Sequence, residues 1–279
     1  FSTDGGTIKL DGNYPTGTNN VALGDTALDS LTSGNQNTAV GFAALTANTE
    51  GTNNTAIGLC ALCSNTTGDT NTAVGANVLD ANTTGDENTG VGVSALGVNT
   101  TGCYNTAVGR MASFANTTGA DNTAVGLCSL TANTTGCRNV SVGKGSLVSN
   151  TIGQQNTSLG FASMGDNTEG EFNTAIGSAS LADNTTANCN VAVGYNSLRK
   201  NTTGNSNTAV GTCSLNDNTD GTGNSAVGRN ALANNTTADY NVAVGYDSLF
   251  VNTTGHSNTA IGFNTMCVNT TGDCNVAIG

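Results

Sequence analysis

The chain has 279 residues, of which only 9% are charged and 4% aromatic, with 38 Gly, one Pro and no Trp. This composition excludes a conventional globular core of large side chains. The net charge of −12 and the seven scattered Lys and Arg argue against nucleic-acid binding, which needs a basic patch. No apolar run approaches the roughly 20 residues of a membrane-spanning helix, so we expect no membrane insertion.

The first segment in chain order, residues 1–19, keeps the spacing of the later repeat only loosely. Gly17 stands where the repeat has a glycine, but Pro15 replaces a threonine. Because stacked repeats need capped ends or further stacking, we predict that residues 1–19 form an N-terminal cap or a junction to a preceding segment.

Residues 20–279 repeat with an unbroken period of 17 residues, giving fifteen full copies and the start of a sixteenth. Numbered from its first Asn, the 17-residue consensus is N-T-A-V-G-x-x-A/S-L-x-x-N-T-T-G-x-x, in which x is a variable residue. Such a period indicates a solenoid or another repeat array. The copies begin at Asn20, Asn37, Asn54, Asn71, Asn88, Asn105, Asn122, Asn139, Asn156, Asn173, Asn190, Asn207, Asn224, Asn241, Asn258 and Asn275.

Charged residues divide the repeat into two sets of positions. Within the copies, every Lys, Arg, Asp and Glu falls at position 6, 7, 10, 11, 14, 16 or 17. Charged groups avoid burial unless they are paired. The variable positions are therefore predicted to face solvent, and the constant positions to face the interior or a neighbouring chain.

The local composition favours strands and turns over helices. Each copy carries at least two residue types, Gly and Asn, that are poor helix formers, together with β-branched residues. We predict a short strand at Thr-Ala-Val, another around Ala/Ser-Leu, and turns at the Gly of position 5 and at Asn-Thr-Thr-Gly. The fold class is then all-β: a parallel β-solenoid, or β-roll, with 17 residues per coil and about fifteen to sixteen coils.

In this solenoid, identical positions of successive coils stack on one another. We predict side-chain amide ladders at the Asn of positions 1 and 12, and an apolar interior of Val at position 4 and Leu at position 9. Ala at position 3 and Ala or Ser at position 8 allow close packing within the coil or against another chain. Because so narrow an interior buries little apolar surface, we expect self-association as a homotrimer or an end-to-end filament.

The motif N-T-A-V-G-x-x-A/S-L resembles the head repeats of trimeric autotransporter adhesins. The likeness is clearest at NTAIG, residues 173–177, and NVAVG, residues 190–194. The longer period, with Asn-Thr-Thr-Gly as a regular second corner, resembles the repeat arrays of phage tail-fibre and related surface proteins. The resemblance covers residues 20–279 and implies a β-roll in an extracellular fibre at a cell or virion surface.

Asn-Thr-Thr is also an acceptor sequence for N-glycosylation, which predicts a glycoprotein with axial rows of sugars. Alternatively, the Asn and Thr serve only as turn and ladder residues. Copies such as Asn48-Thr49-Glu50 keep the Asn and first Thr without the acceptor sequence, which favours a structural need. The candidate glycosylation sites are Asn65, Asn82, Asn99, Asn116, Asn133, Asn184, Asn201, Asn235, Asn252 and Asn269.

No metal, cofactor or catalytic site is predicted. The nine cysteines lie at variable positions, and the odd number leaves at least one thiol free or paired with another chain. Cys60 and Cys63 form a CxxC motif, but a zinc site usually needs a second such pair and nearby His, and His256 is the only His. Since no nucleophile recurs beside a base, we expect that the protein is not an enzyme.

Three functions follow from these observations. The first is a structural protein, the rigid shaft of an extracellular, cell-surface or virion fibre. The second is an adhesin that binds a receptor or a cell-surface glycan through clustered outward aromatic or charged residues. The third is ice binding through ordered threonines, which the adjacent pair Thr83-Thr84 supports poorly because neighbouring residues point to opposite sides of a strand.

Overall fold

The structure, a computed structural model, describes residues 8–9 and 17–279. The chain forms two compact units, which divide between Cys137 and Arg138. Most of the predicted cap, residues 1–19, lies outside the described residues.

Each copy of the repeat contributes one strand at positions 2 to 4, and the part of the chain that the structure describes contains no helix. The first unit contains β1 (Ile8–Lys9), β2 (Val21–Leu23), β3 (Thr38–Val40), β4 (Thr55–Ile57), β5 (Thr72–Val74), β6 (Thr89–Val91), β7 (Thr106–Val108) and β8 (Thr123–Val125). The second unit contains β9 (Val140–Val142), β10 (Thr157–Leu159), β11 (Thr174–Ile176), β12 (Val191–Val193), β13 (Thr208–Val210), β14 (Ser225–Val227), β15 (Val242–Val244), β16 (Thr259–Ile261) and β17 (Val276–Ile278).

Within each unit the strands of successive copies pair in parallel, and equivalent positions lie opposite one another. Thr72 of β5, for example, lies between Thr55 of β4 and Thr89 of β6. The same register joins β2 to β8 and, in the second unit, β9 to β17. Strand β1 pairs antiparallel with β2. The predicted parallel β-solenoid of 17-residue coils is confirmed.

Positions 3, 8 and 9 form the interior of each coil. Ala73 at position 3 and Leu79 at position 9 are fully buried, as are their equivalents in most coils. The expectation of Leu at position 9 is confirmed, but that of Val at position 4 is wrong, since Ile57 is 41% and Val91 36% exposed. Alternate residues of a strand point to opposite faces, so once Ala at position 3 faces the Leu column, position 4 must point outward.

Val78 is the largest side chain at position 8, and the neighbouring coil compensates for it. Its Cγ1 lies only 2.5 Å from the place that a Cβ of residue 90 would take, and residue 90 is the one glycine at position 3. Large and small side chains thus interdigitate between coils, as close packing requires.

The predicted second strand, around Ala/Ser-Leu, is wrong. Positions 7 and 9 adopt left-handed backbone conformations, with φ of 53° at Asn77 and 52° at Leu79. The N–H of Asn77 donates to Leu59 O in the preceding coil (2.9 Å), whereas that of Leu79 donates to Ala95 O in the following coil (3.1 Å). A left-handed non-glycine residue costs about 1–2 kcal/mol, which these bonds and the burial of Leu79 offset.

Both predicted asparagine ladders are present. At position 12, Asn82 Nδ2 donates to Asn65 Oδ1 (2.8 Å) and to Gly85 O (3.0 Å). At position 1, the backbone N–H of Asn71 donates to Asn54 Oδ1 (2.9 Å), and its Nδ2 donates to Gly85 O (2.8 Å). Gly85 O therefore accepts from both columns, which ties the two corners of the coil together.

Candidate functional site

The outward side chains at positions 2 and 4 of the strands form a surface that we call the strand face. Position 4 is Val, Ile or Leu in all sixteen copies, and position 2 is Thr, Val or Ser wherever a strand is present. More than a third of the side chain is exposed at Leu23, Ile57, Val91 and Val108 in the first unit and at Leu159, Ile176, Val227, Val244 and Ile261 in the second. Extended exposed apolar surfaces of this kind mark interaction sites.

The strand face is electrically neutral. No charged residue occupies position 2, 3 or 4 of any copy, although the net charge of the chain is −12. Acidic residues lie mostly at positions 10, 11, 14, 16 and 17; one of them, Asp217, pairs with Lys200 at 2.9 Å. Partial burial raises the pKa of Asp80, at position 10, above the usual value for aspartate. The acidic charge is therefore concentrated away from the strand face.

Position 6 borders the strand face and carries several of the aromatic and cationic residues of the second unit. The guanidinium of Arg229 lies 5.5 Å from the ring centroid of Tyr246, and the rings of Tyr246 and Phe263 stack with centroids 5.5 Å apart. Lys144 lies 6.0 Å from the ring centroid of Phe161 in the same way. The sequence showed scattered aromatics; the solenoid brings these into contact because coils one period apart are neighbours.

Nine of the ten candidate glycosylation sites are fully buried: Asn65, Asn82, Asn99, Asn116, Asn133, Asn184, Asn201, Asn235 and Asn252. Asn269, in the last described coil, is partly exposed. The Nδ2 atom that would carry a sugar is engaged in hydrogen bonds; in Asn99 it donates to Asn82 Oδ1 (2.8 Å) and Gly102 O (3.0 Å). This geometry favours the ladder role, while glycosylation stays a prediction that would compete with folding.

The adjacent threonines at positions 13 and 14 have different environments. The half-buried Thr83 donates its hydroxyl to Thr100 O (3.1 Å) in the next coil, whereas Thr84 is exposed. On the strand face, the outward Thr of position 2 lies beside the bulky aliphatic residue of position 4. Ice binding stays a prediction that neither arrangement strengthens.

A third ladder, at position 16, was not predicted. Asp69 Oδ1 accepts the N–H of Thr52 (2.6 Å), and Asp86 Oδ1 accepts that of Asp69 (2.8 Å). In the second unit His256 Nδ1 accepts the N–H of Asp239 (2.9 Å). The signal was present in the sequence, because position 16 is most often Asp, Asn, Thr or Cys, short side chains with an acceptor atom.

The cysteines fall into three groups. Cys60 and Cys63 form a disulfide across one turn, with Cα atoms 4.9 Å apart. Cys103 and Cys137, at position 16, accept backbone N–H groups at 3.3 and 3.4 Å. Cys189 and Cys274 have exposed free thiols, and Cys128, Cys213 and Cys267 are free and half-buried.

The described residues contain no group of three or more His, Cys, Asp or Glu side chains that could hold a metal ion. In the same residues, no helix has the length and apolar character needed to cross a membrane. That the protein is not an enzyme stays a prediction.

A comparison of the sequence with models of known protein families finds no match. A comparison with curated proteins likewise finds no similarity that would indicate a relative.

Proposed function

We propose that the protein is structural and forms the shaft of an extracellular fibre at a cell or virion surface, in which copies of the chain associate through their strand faces. One observation carries the proposal: an aliphatic side chain is kept at an outward position in all sixteen copies. A surface in contact only with water tolerates many residue types at each position. A column of aliphatic residues that does not vary between copies therefore indicates a surface that contacts another molecule. The extracellular location rests on the resemblance at residues 173–177 and 190–194.

The free energy gained by burying the position 4 side chains increases with the number of coils, so longer solenoids associate more strongly. Covering a position 4 side chain that is about 40% exposed, such as Ile57 or Val227, contributes about 1 kcal/mol. In the first unit, β2, β4, β6 and β7 carry a position 4 side chain with about this exposure. They would contribute about 4 kcal/mol per copy and about 8 kcal/mol for two copies, which is comparable with the cost of association of about 4–15 kcal/mol. One unit alone is near balance, and further coils favour the assembled state.

The distribution of charge identifies a second copy as the partner of the strand face. A chain with a net charge of −12 repels its copies wherever acidic residues meet. The strand face carries no charge at positions 2 to 4, so two such faces can pack without bringing like charges together. Homotrimers can form through this contact, whereas an end-to-end filament would join terminal coils and is a separate prediction.

Electron microscopy and sedimentation velocity test the proposal. We expect the full chain to form elongated assemblies, and the double variant Ile57→Lys/Val91→Lys to be monomeric with an unchanged circular dichroism spectrum, because outward lysines leave the interior intact. The control Thr67→Lys/Thr84→Lys adds the same charge at exposed positions away from the strands and should still assemble. The proposal fails if the wild type is monomeric at all concentrations or if the strand-face variant assembles equally well.

The position 6 cluster favours a second candidate, an adhesin for a receptor or cell-surface glycan. Arg229, Tyr246 and Phe263 present a cation and two rings in three successive coils, and aromatic and Arg side chains are enriched at binding hot spots. In this case Tyr246→Ala/Phe263→Ala should abolish binding to host cells or immobilised glycans without changing assembly. Equal binding by this variant and by Tyr195→Ala, an isolated aromatic at the same position, would exclude the cluster as the site.

A further inference from the structure

The Cys60–Cys63 disulfide joins positions 7 and 10 of one coil, which flank the buried Ala61 and Leu62. The backbone at this turn is the same as in coils that lack cysteine. The φ angles of Cys60 and Leu62 are 53° and 52°, the values found for Asn77 and Leu79 in the next coil.

The hydrogen bonds of the turn are likewise independent of the disulfide. Cys60 N–H donates to Phe42 O (2.9 Å), as Asn77 N–H does to Leu59 O (2.9 Å). A disulfide that closes so short a loop adds little conformational restriction to a turn that forms without it. The sulfur pair is therefore a chemical group carried by the solenoid, and the fold does not require it.

Both cysteines of the disulfide are half-exposed. The chain also carries two exposed free thiols, Cys189 and Cys274. The other thiols are less available: Cys103 Sγ, for example, accepts the N–H of Asp86 (3.3 Å) and lies 3.4 Å from Thr101 O, to which it donates. Thus one chain presents both an accessible disulfide and accessible thiols that can attack one.

We propose that the Cys60–Cys63 disulfide is a thiol–disulfide exchange site through which copies of the chain become covalently linked. The thiolate of Cys189 or Cys274 of a second copy attacks one sulfur of the pair; the S–S bond within the coil breaks, an S–S bond between chains forms, and the other cysteine leaves as a thiolate. One disulfide is consumed and one is formed, so the step needs no external oxidant. The released thiolate can attack the new bond, which makes the link reversible.

This inference rests on the proposed self-association, which would bring the reacting groups of different copies together repeatedly. The test incubates the full chain at pH 8 under nitrogen with a chelator, quenches with acid and alkylating agent, and measures covalent dimers by non-reducing electrophoresis. Disulfide-linked peptides are mapped by mass spectrometry, and light scattering follows non-covalent assembly in the same samples.

We expect covalent dimers that link Cys60 or Cys63 to Cys189 or Cys274, and at least a tenfold slower reaction at pH 6, where less thiolate is present. Cys60→Ser/Cys63→Ser and Cys189→Ser/Cys274→Ser should each lose these dimers, whereas Cys103→Ser should keep them. Assembly without these links, the same links within single chains, or dimers that persist in Cys60→Ser/Cys63→Ser would overturn the exchange site. Absence of assembly by light scattering would instead count against the proposed function, and the gel would still report whether exchange occurs.

Discussion

Single residues decide how closely successive coils approach. The glycines at positions 5 and 15 both allow close approach, but for different reasons. Gly143, at position 5, has a φ of 133°, and an added Cβ would lie 2.7 Å from the carbonyl carbon of Gly160 in the next coil. Gly153, at position 15 of the same coil, has no positive φ, although an added Cβ would crowd the side chain of Asn150 and Gly170 O. Position 15 is nevertheless Ala at residues 187 and 238, both buried.

Gly143→Ala should therefore destabilise the protein by about 2–5 kcal/mol, the sum of backbone strain and overpacking. Gly153→Ala, the matched control, should cost less than about 1 kcal/mol because the chain accommodates the same change twice. Urea denaturation followed by circular dichroism measures both. Equal losses in the two variants would show that φ at position 5 is not the constraint.

Ser113 is the one polar residue in the position 9 column, where every other full copy has Leu or Met. It is 1% exposed, and among the described buried side chains only its hydroxyl lacks a hydrogen-bond partner. Ser113→Leu should stabilise the protein by about 1–3 kcal/mol, because it fills the column and removes an unsatisfied group. Leu96→Ser, the reverse change one coil earlier, should cost at least about 3 kcal/mol. Thermal unfolding that shows Ser113→Leu to be less stable than wild type would contradict this packing.

At the scale of the coil, the asparagine ladder and N-glycosylation require different states of the same residue. The ladder needs a buried, hydrogen-bonded side chain, whereas glycosylation needs an exposed one. Asn99→Ala and Thr101→Ala both remove the acceptor sequence at Asn99, but only Asn99→Ala breaks the ladder. It leaves Asn82 Oδ1 without its donor and removes one of two hydrogen bonds from Gly102 O and from Asn116 Nδ2. We expect a loss of about 3–5 kcal/mol for Asn99→Ala and less than about 0.5 kcal/mol for the exposed Thr101→Ala. Equal losses in denaturant unfolding would mean that the ladder does not matter.

The period and the corner residues were enough to predict the coil, but not which way its strand faces. A strand alternates between two faces, and Thr72 and Val74 on one side and Ala73 on the other are all uncharged. Charge placement therefore could not separate them, and hydrophobicity alone favoured burying Val74. The structure reverses that choice because the Leu column leaves room only for a small residue opposite it.

The turn at positions 7 to 9 was missed for a different reason. Leu79 adopts a left-handed conformation that Leu rarely takes, so local propensity favoured a strand. Hydrogen bonds to the coils on either side hold this backbone, and they exist only after the coils have stacked. The position 16 ladder, by contrast, was recoverable from the recurrence of short acceptor side chains.

For the whole molecule, the choice of which strand side is buried bears directly on assembly. Each unit buries small residues and leucine, and in the proposed fibre its outward aliphatic column contacts another copy. The side chain of Val91 should then be accessible to solvent in the dilute chain and buried in the assembled protein.

Site-resolved alkylation measures this directly. Cysteine is introduced as Val91→Cys on the strand face, Ala95→Cys in the interior and Thr84→Cys on the free surface, and maleimide labelling of each site is followed by mass spectrometry at dilute and assembling concentrations. We predict that Val91→Cys labels as fast as Thr84→Cys when dilute and at least tenfold more slowly when assembled, while Ala95→Cys stays protected throughout. Protection of Val91→Cys in the dilute chain, or equal labelling at both concentrations, would contradict the account.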